Sequence, residues 1–111
     1  MEKQIRRRSQ GAVRLVDDII TALCADYERR KCAIRENSVP KRVRMEYLYI
    51  NTRILTAAAE TIGQAYAEKL IYEIGKKVGY ANSELDHLSE LSYKAVKQRA
   101  KRKIARGLYL E

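Results

Sequence analysis

The chain has 111 residues, enough for one compact domain with a modest core, and its 23 Lys and Arg against 14 Asp and Glu leave a net charge of +9. Such an excess calls for a polyanionic partner, while five Gly and a single Pro leave few of the tight turns that an all-β domain needs. No run of about 18 apolar residues is present for a membrane span, and MEKQIRRRSQ leads into no unbroken apolar signal region, so a cytoplasmic protein without a membrane partner is expected.

The first expected helix runs from Gly11 to Arg35. Val13, Val16, Ile20, Leu23 and Tyr27 recur at three- and four-residue steps, with Ile19 and Cys24 widening the stripe and Arg14, Asp17, Asp18, Glu28 and Arg29 opposite. Cys24 and Cys32 then lie about 12 Å apart along that helix, beyond disulfide reach, which makes both buried or idle thiols. Glu36 to Pro40 breaks the helix, since Pro disfavours the helical region for its predecessor and fits the first turn of a successor. A second helix is expected over 40–62, with Val43, Tyr47, Ile50, Ile54, Ala58 and Ile62 as its stripe, although YLYINTRIL also has the composition of a strand. Gly63 closes it. A third, over 64–78, buries Ala67, Leu70, Ile71 and Ile74 and stops at Gly79.

Ser83 is then placed to cap a short helix, with Asp86 returning toward the cap, and Ser92 to cap the last helix, which ends near Gly107. That last helix carries Lys94, Lys97, Arg99, Lys101, Arg102, Lys103 and Arg106 and no acid. At 100° per residue Val96, Ala100, Tyr93 and Ile104 fall within an arc of about 80°, the core face, while Lys101, Lys94, Ala105, Gln98 and Arg102 lie on the far side. Six like-charge pairs at three- and four-residue spacing oppose such a helix by roughly 1–3 kcal/mol together before screening.

A short helix, a turn and a longer cationic helix make a helix-turn-helix unit, whose second helix enters the major groove. The candidate DNA contacts are Ser92, Tyr93, Lys94, Lys97, Gln98, Lys101 and Arg102, with Gln98 and Lys94 offering base-reading groups and a salt slope of about −4 to −7. Arg29, Arg30, Lys41 and Arg42, around the hairpin tip, are candidate phosphate contacts, and Arg6 to Arg8 a candidate arm. The expected architecture is all-α, about five helices in a single domain, with a helical hairpin over 10–63 and the helix-turn-helix over 64–111. A homodimer through the first helices is expected, because helix-turn-helix proteins commonly bind paired half-sites.

Leu85, Leu88, Leu91-Ser92, Val96-Lys97-Gln98 and the stretch from Ala100 to Ile104 resemble the helix-turn-helix of sigma-factor region 4, a Leu-Ser turn followed by Val-x-Gln and a basic, Ala-bearing helix. Glu28 to Arg30, Asn51-x-Arg53-Ile54 and the tail IARGLYL resemble small phage transcriptional regulators of the ArpU and RinA type. The resemblance implies a promoter- or operator-binding regulator of prophage or mobile-element genes, with RNA polymerase as a further candidate partner. Ser89 and Glu90 stand where the sigma-type turn has an apolar residue and Gly.

The other chemistry-bearing residues carry no site. His87 is the one histidine and has no ligand set around it, and neither a phosphate loop, a nucleophile elbow nor paired carboxylates are present, so no catalysis, metal or cofactor is expected. Glu68 and Glu73 read as solvated carboxylates, and Tyr27, Tyr47, Tyr66 and Tyr72 as packing residues. Beside duplex DNA binding stand two other readings, a helical protein-interaction or assembly module and a binder of structured RNA or anionic membrane.

Overall fold

The computed structural model describes residues 10–110, with side chains from residue 13 onward, so the triplet Arg6 to Arg8 lies outside the described residues. Among the described residues five α-helices carry the fold: α1 (Gln10–Ala25), α2 (Tyr27–Glu36), α3 (Lys41–Ile62), α4 (Ala67–Gly75) and α5 (Glu90–Gly107), with 3₁₀ turns at Gln64–Tyr66 and Tyr80–Asn82. The described residues contain no strand, so the all-α reading holds and YLYINTRIL is helical.

The expected first helix is two helices. Asp26, at φ −97° and ψ 4°, bends the chain, and its carboxylate accepts from Arg29 Nε at 2.7 Å. Beyond the bend α1 leaves the hairpin and packs against α4 and α5, while α2 packs against α3. The hairpin is therefore built from α2 and α3 alone. Its antiparallel register is set by buried polar contacts: Arg30 Nε donates to Asn51 Oδ1 at 2.7 Å and Asn51 Nδ2 donates to the Tyr27 carbonyl at 3.1 Å.

Apart from the break at Asp26, local chemistry ends the helices where it was expected to, with one exception. Asn37 takes the left-handed conformation (φ 54°) after α2, which Asn tolerates, and Ser38 N–H donates to the Ala33 carbonyl at 3.2 Å. Pro40 opens α3, and Gly63 closes it at φ 94°, a conformation that favours glycine. The exception is α4, which stops at Gly75 and not at Val78, because Lys77 adopts φ 56° and Val78 N–H turns back to the Glu73 carbonyl. Gly75 has a separate role: a Cβ there would lie 2.5 Å from the Ala25 nitrogen and 2.6 Å from its Cα, so α1 and α4 meet at this glycine.

One core joins the elements. Ile20, Cys24 and Tyr27 from the first two helices meet Ile54 and Ala58 of α3, Leu70, Ile71 and Ile74 of α4, and Tyr93, Val96, Ala100 and Ile104 of α5. The free thiol of Cys24 is inside this cluster, and burial raises its pKa to about 12. Tyr66 and Tyr72, expected to pack, are exposed at 42% and 56%. No helix among the described residues is long and apolar enough to cross a membrane.

Candidate nucleic-acid interface

The helix expected from Ser83 does not form. Residues 83–89 make turns, and Ser83 Oγ accepts from Leu85 N–H at 2.9 Å while donating to Glu73 Oε1 at 2.7 Å. Consequently α5 has no short helix and tight turn before it, and the helix-turn-helix unit expected over 64–111 lacks its first helix at that place. What holds the stretch 76–89 is tertiary. Leu85 is fully buried, worth roughly 1.5–3 kcal/mol, and Glu73, 2% exposed, accepts from Ser83 Oγ, Glu84 N–H at 2.8 Å and Tyr93 Oη at 2.8 Å. The expected solvated carboxylate at Glu73 is thus a buried anchor, and sequence spacing carried no sign of it.

The cap of α5 is Ser89, one turn before the expected Ser92. Ser89 Oγ accepts from Ser92 N–H at 3.1 Å and donates to Ser92 Oγ at 3.0 Å, and Glu90 adds an anion in the first turn. Tyr93, Val96, Ala100 and Ile104 are buried as the helical period required. Ala105 is buried too, although it was placed outward. α1 packs over that side, so α5 is covered on two flanks and its free surface is narrower than one half of a cylinder.

Lys94, Lys97, Lys101 and Lys103 find partners within the chain. Lys101 Nζ reaches Asp17 of α1 at 3.1 Å, Lys103 Nζ reaches Glu60 of α3 at 3.6 Å, and Lys94 Nζ lies 3.4 Å from Glu90. Lys97 Nζ donates to the Val78 carbonyl at 2.9 Å and sits 4.9 Å over the Tyr93 ring, and burial lowers its pKa. A helix without an acid beyond Glu90 is tolerable because further counter-charges come from α1 and α3. Tyr93, at 1% exposure, is closed to any partner, and its hydroxyl is bonded inside, its pKa raised to about 12 chiefly by burial and by Glu73.

What remains outward is a strip of Leu91, Ser92, Lys94, Ala95, Gln98, Arg99, Arg102 and Arg106, all exposed. Arg99 flanks a depression of about 390 Å³ that Ser92, Thr61 and His87 also line. The signal that finds Arg99 and Ala95 is the width of the covered arc, which follows only once α1 is known to pack there. His87 itself is exposed in the turn, its ring 4.5 Å from that of Tyr66.

The hairpin-tip residues do not join this strip. Arg30 is 3% exposed, with its guanidinium on Asn51, the Leu23 carbonyl and Asp26, so it is a structural residue and not a phosphate contact. Arg29 is exposed but held by Asp26 and by Tyr47, whose hydroxyl accepts from Nη1 at 3.3 Å. Lys41 and Arg42 are exposed, yet α5 runs antiparallel to α3, with Lys103 beside Glu60. They lie about 27 Å along α3 from Glu60, far from Gln98 and Arg102. Among the described residues no group of His, Cys, Asp and Glu is arranged to hold a metal ion. Comparison with known proteins finds no matching family model, no matching curated protein and no matching solved structure.

Proposed function

We propose that the chain binds double-stranded DNA through the outward strip of α5. One observation carries this reading: the strip is a rigid helical ridge, anchored in the core by Val96, Ala100 and Ile104, that exposes Gln98, Arg99 and Arg102 with no acid in the sequence from Leu91 to Leu110. A single α-helix fits the major groove, where an amide pairs with adenine, Ala95 can meet a thymine methyl, and guanidinium groups meet phosphates or guanine. The exposed Lys94–Glu90 pair is held weakly enough for Lys94 to exchange its carboxylate for a phosphate. A role in regulating prophage or mobile-element transcription rests on the resemblance of Glu28 to Arg30, Asn51-x-Arg53-Ile54 and the tail IARGLYL to small phage regulators, beside that of residues 85–104 to the sigma-type unit, whose first helix is replaced here by turns.

Because Lys97 and Lys101 are engaged within the fold, Arg106 has a partner there as well and Lys103 is half-buried outside the outward strip, the phosphate contacts of α5 reduce to about three, and the slope of log K against log salt to about −2 to −3. Selection from random duplexes, followed by titration of Gln98→Ala, tests the reading. The variant should lose about 1–3 kcal/mol of discrimination at one base position while keeping its salt slope. Recovery of no preferred sequence, or a variant with unchanged base preference, would remove Gln98 from the reading surface.

A further inference from the structure

The side of α3 that faces away from the core is apolar at its centre. Met45, Tyr49 and Leu48 are 58%, 45% and 40% exposed, while Ile54, Ala57 and Ala58 of the same helix are buried. Lys41, Met45, Tyr49 and Arg53 follow one another at four-residue steps and so form a single ridge. Hollows of about 740 and 760 Å³ flank that ridge, the second running toward Glu60 and the C-terminal end of α5. Ridge and hollow on one face are the two halves of a self-complementary surface, the requirement of a two-fold contact.

We infer that this face of α3 pairs antiparallel with the same face of a second copy of the chain. Charge selects both partner and direction. At the N-terminal end the cations Lys41 and Arg42 outnumber the acid Glu46, and at the other end stands the acid Glu60, with Lys103 of α5 beside it. A two-fold axis midway between Tyr49 and Arg53 sets Arg42 of each copy opposite Glu60 of its partner, whereas a parallel pair would set Arg42 against Arg42. The same axis sets each Tyr49 ring opposite the other copy's Arg53 guanidinium, a contact chemistry this helix already uses internally, with the Arg53 guanidinium carbon 5.0 Å from the Tyr49 ring centre. Met45 then enters the hollow beside Thr56. Glu60 is free to take part, since it is 59% exposed and its bond to Lys103 is a surface pair. The contact runs about 27 Å, five turns of helix.

Sedimentation equilibrium of the full chain without DNA tests the pairing independently of the DNA-binding reading. The wild-type chain should reach twice its monomer mass within the micromolar range, and Met45→Glu should raise the dimer dissociation constant by about tenfold or more, the far-UV circular dichroism staying unchanged because the side chain is exposed. Arg42→Glu and Glu60→Arg should each dissociate the dimer, and the two together should restore it, because only the antiparallel register brings these positions face to face. A wild-type chain that stays monomeric, a Met45→Glu variant that stays dimeric, or a double charge exchange that fails to rescue would each overturn the inference.

Discussion

Truncating Glu73 to alanine should destabilise the fold far more than replacing it by glutamine, and the difference follows from hydrogen-bond geometry. Alanine leaves three former donors: Ser83 Oγ, Glu84 N–H and Tyr93 Oη. Tyr93 retains the Val78 carbonyl at 2.9 Å, so two donors are orphaned. An unsatisfied buried group costs about 1–3 kcal/mol, and both lie in partly buried surroundings, which places Glu73→Ala at about 2–4 kcal/mol, a large share of the roughly 5–15 kcal/mol typical of a domain. Glutamine fits differently. With its Oε1 accepting from Glu84 N–H, its amide nitrogen faces two hydroxyls that can reverse, Tyr93 donating to Val78 and Ser83 Oγ accepting, so the cost should stay within about 1 kcal/mol. Urea unfolding followed by circular dichroism measures both. An alanine variant within about 1 kcal/mol of wild type, or a glutamine variant as unstable as alanine, would refute the network.

Gly75→Ala should destabilise by about 1–3 kcal/mol despite alanine's better helix propensity, because the added Cβ meets the backbone of Cys24 and Ala25, whereas Gly79→Ala, with nothing within 4 Å, should be neutral or slightly stabilising; urea midpoints distinguish them. Glu68 accepts from Lys31 and Tyr27, and these bonds hold its carboxyl below the ordinary value of 4.5. Its contribution, about 0.2–1 kcal/mol after solvent screening, is therefore full above that value and lost as pH falls through the lowered pKa, so Glu68→Gln should lag wild type at neutral pH and match it in acid. Thermal melts across that range check the convergence.

The sequence carried the helices well wherever period or a special backbone residue defined them. The arc of Tyr93, Val96, Ala100 and Ile104 needed only 100° per residue, and Pro40 and Gly63 marked ends by their own stereochemistry. What escaped was set from outside the local window. Ser83 looks like a cap but is claimed by Glu73, ten residues earlier, and Ser92 looks like a cap although Ser89 holds that place. Arg30, within a run of cations, is buried because Asn51 and the Leu23 carbonyl meet it. The outward face of α5 was legible in outline, with Lys94, Gln98 and Arg102 on it. Lys97, Lys101 and Ala105 were misplaced, since only the packing of α1 and the 76–89 stretch decides which flank is covered.

The central claim is that α5 meets DNA with the cations left outside the fold, and neighbouring residues on that helix separate the possibilities. Fluorescence anisotropy of a labelled duplex, titrated with the full chain over a range of salt, should give measurable binding at about 50 mM salt. Arg99→Ala/Arg102→Ala should weaken it and flatten the salt slope by about two units, one per lost phosphate contact. Lys101→Ala, which removes only the partner of Asp17, should leave the slope within about half a unit of wild type. No binding at low salt, or a double variant with the wild-type slope, would contradict the account.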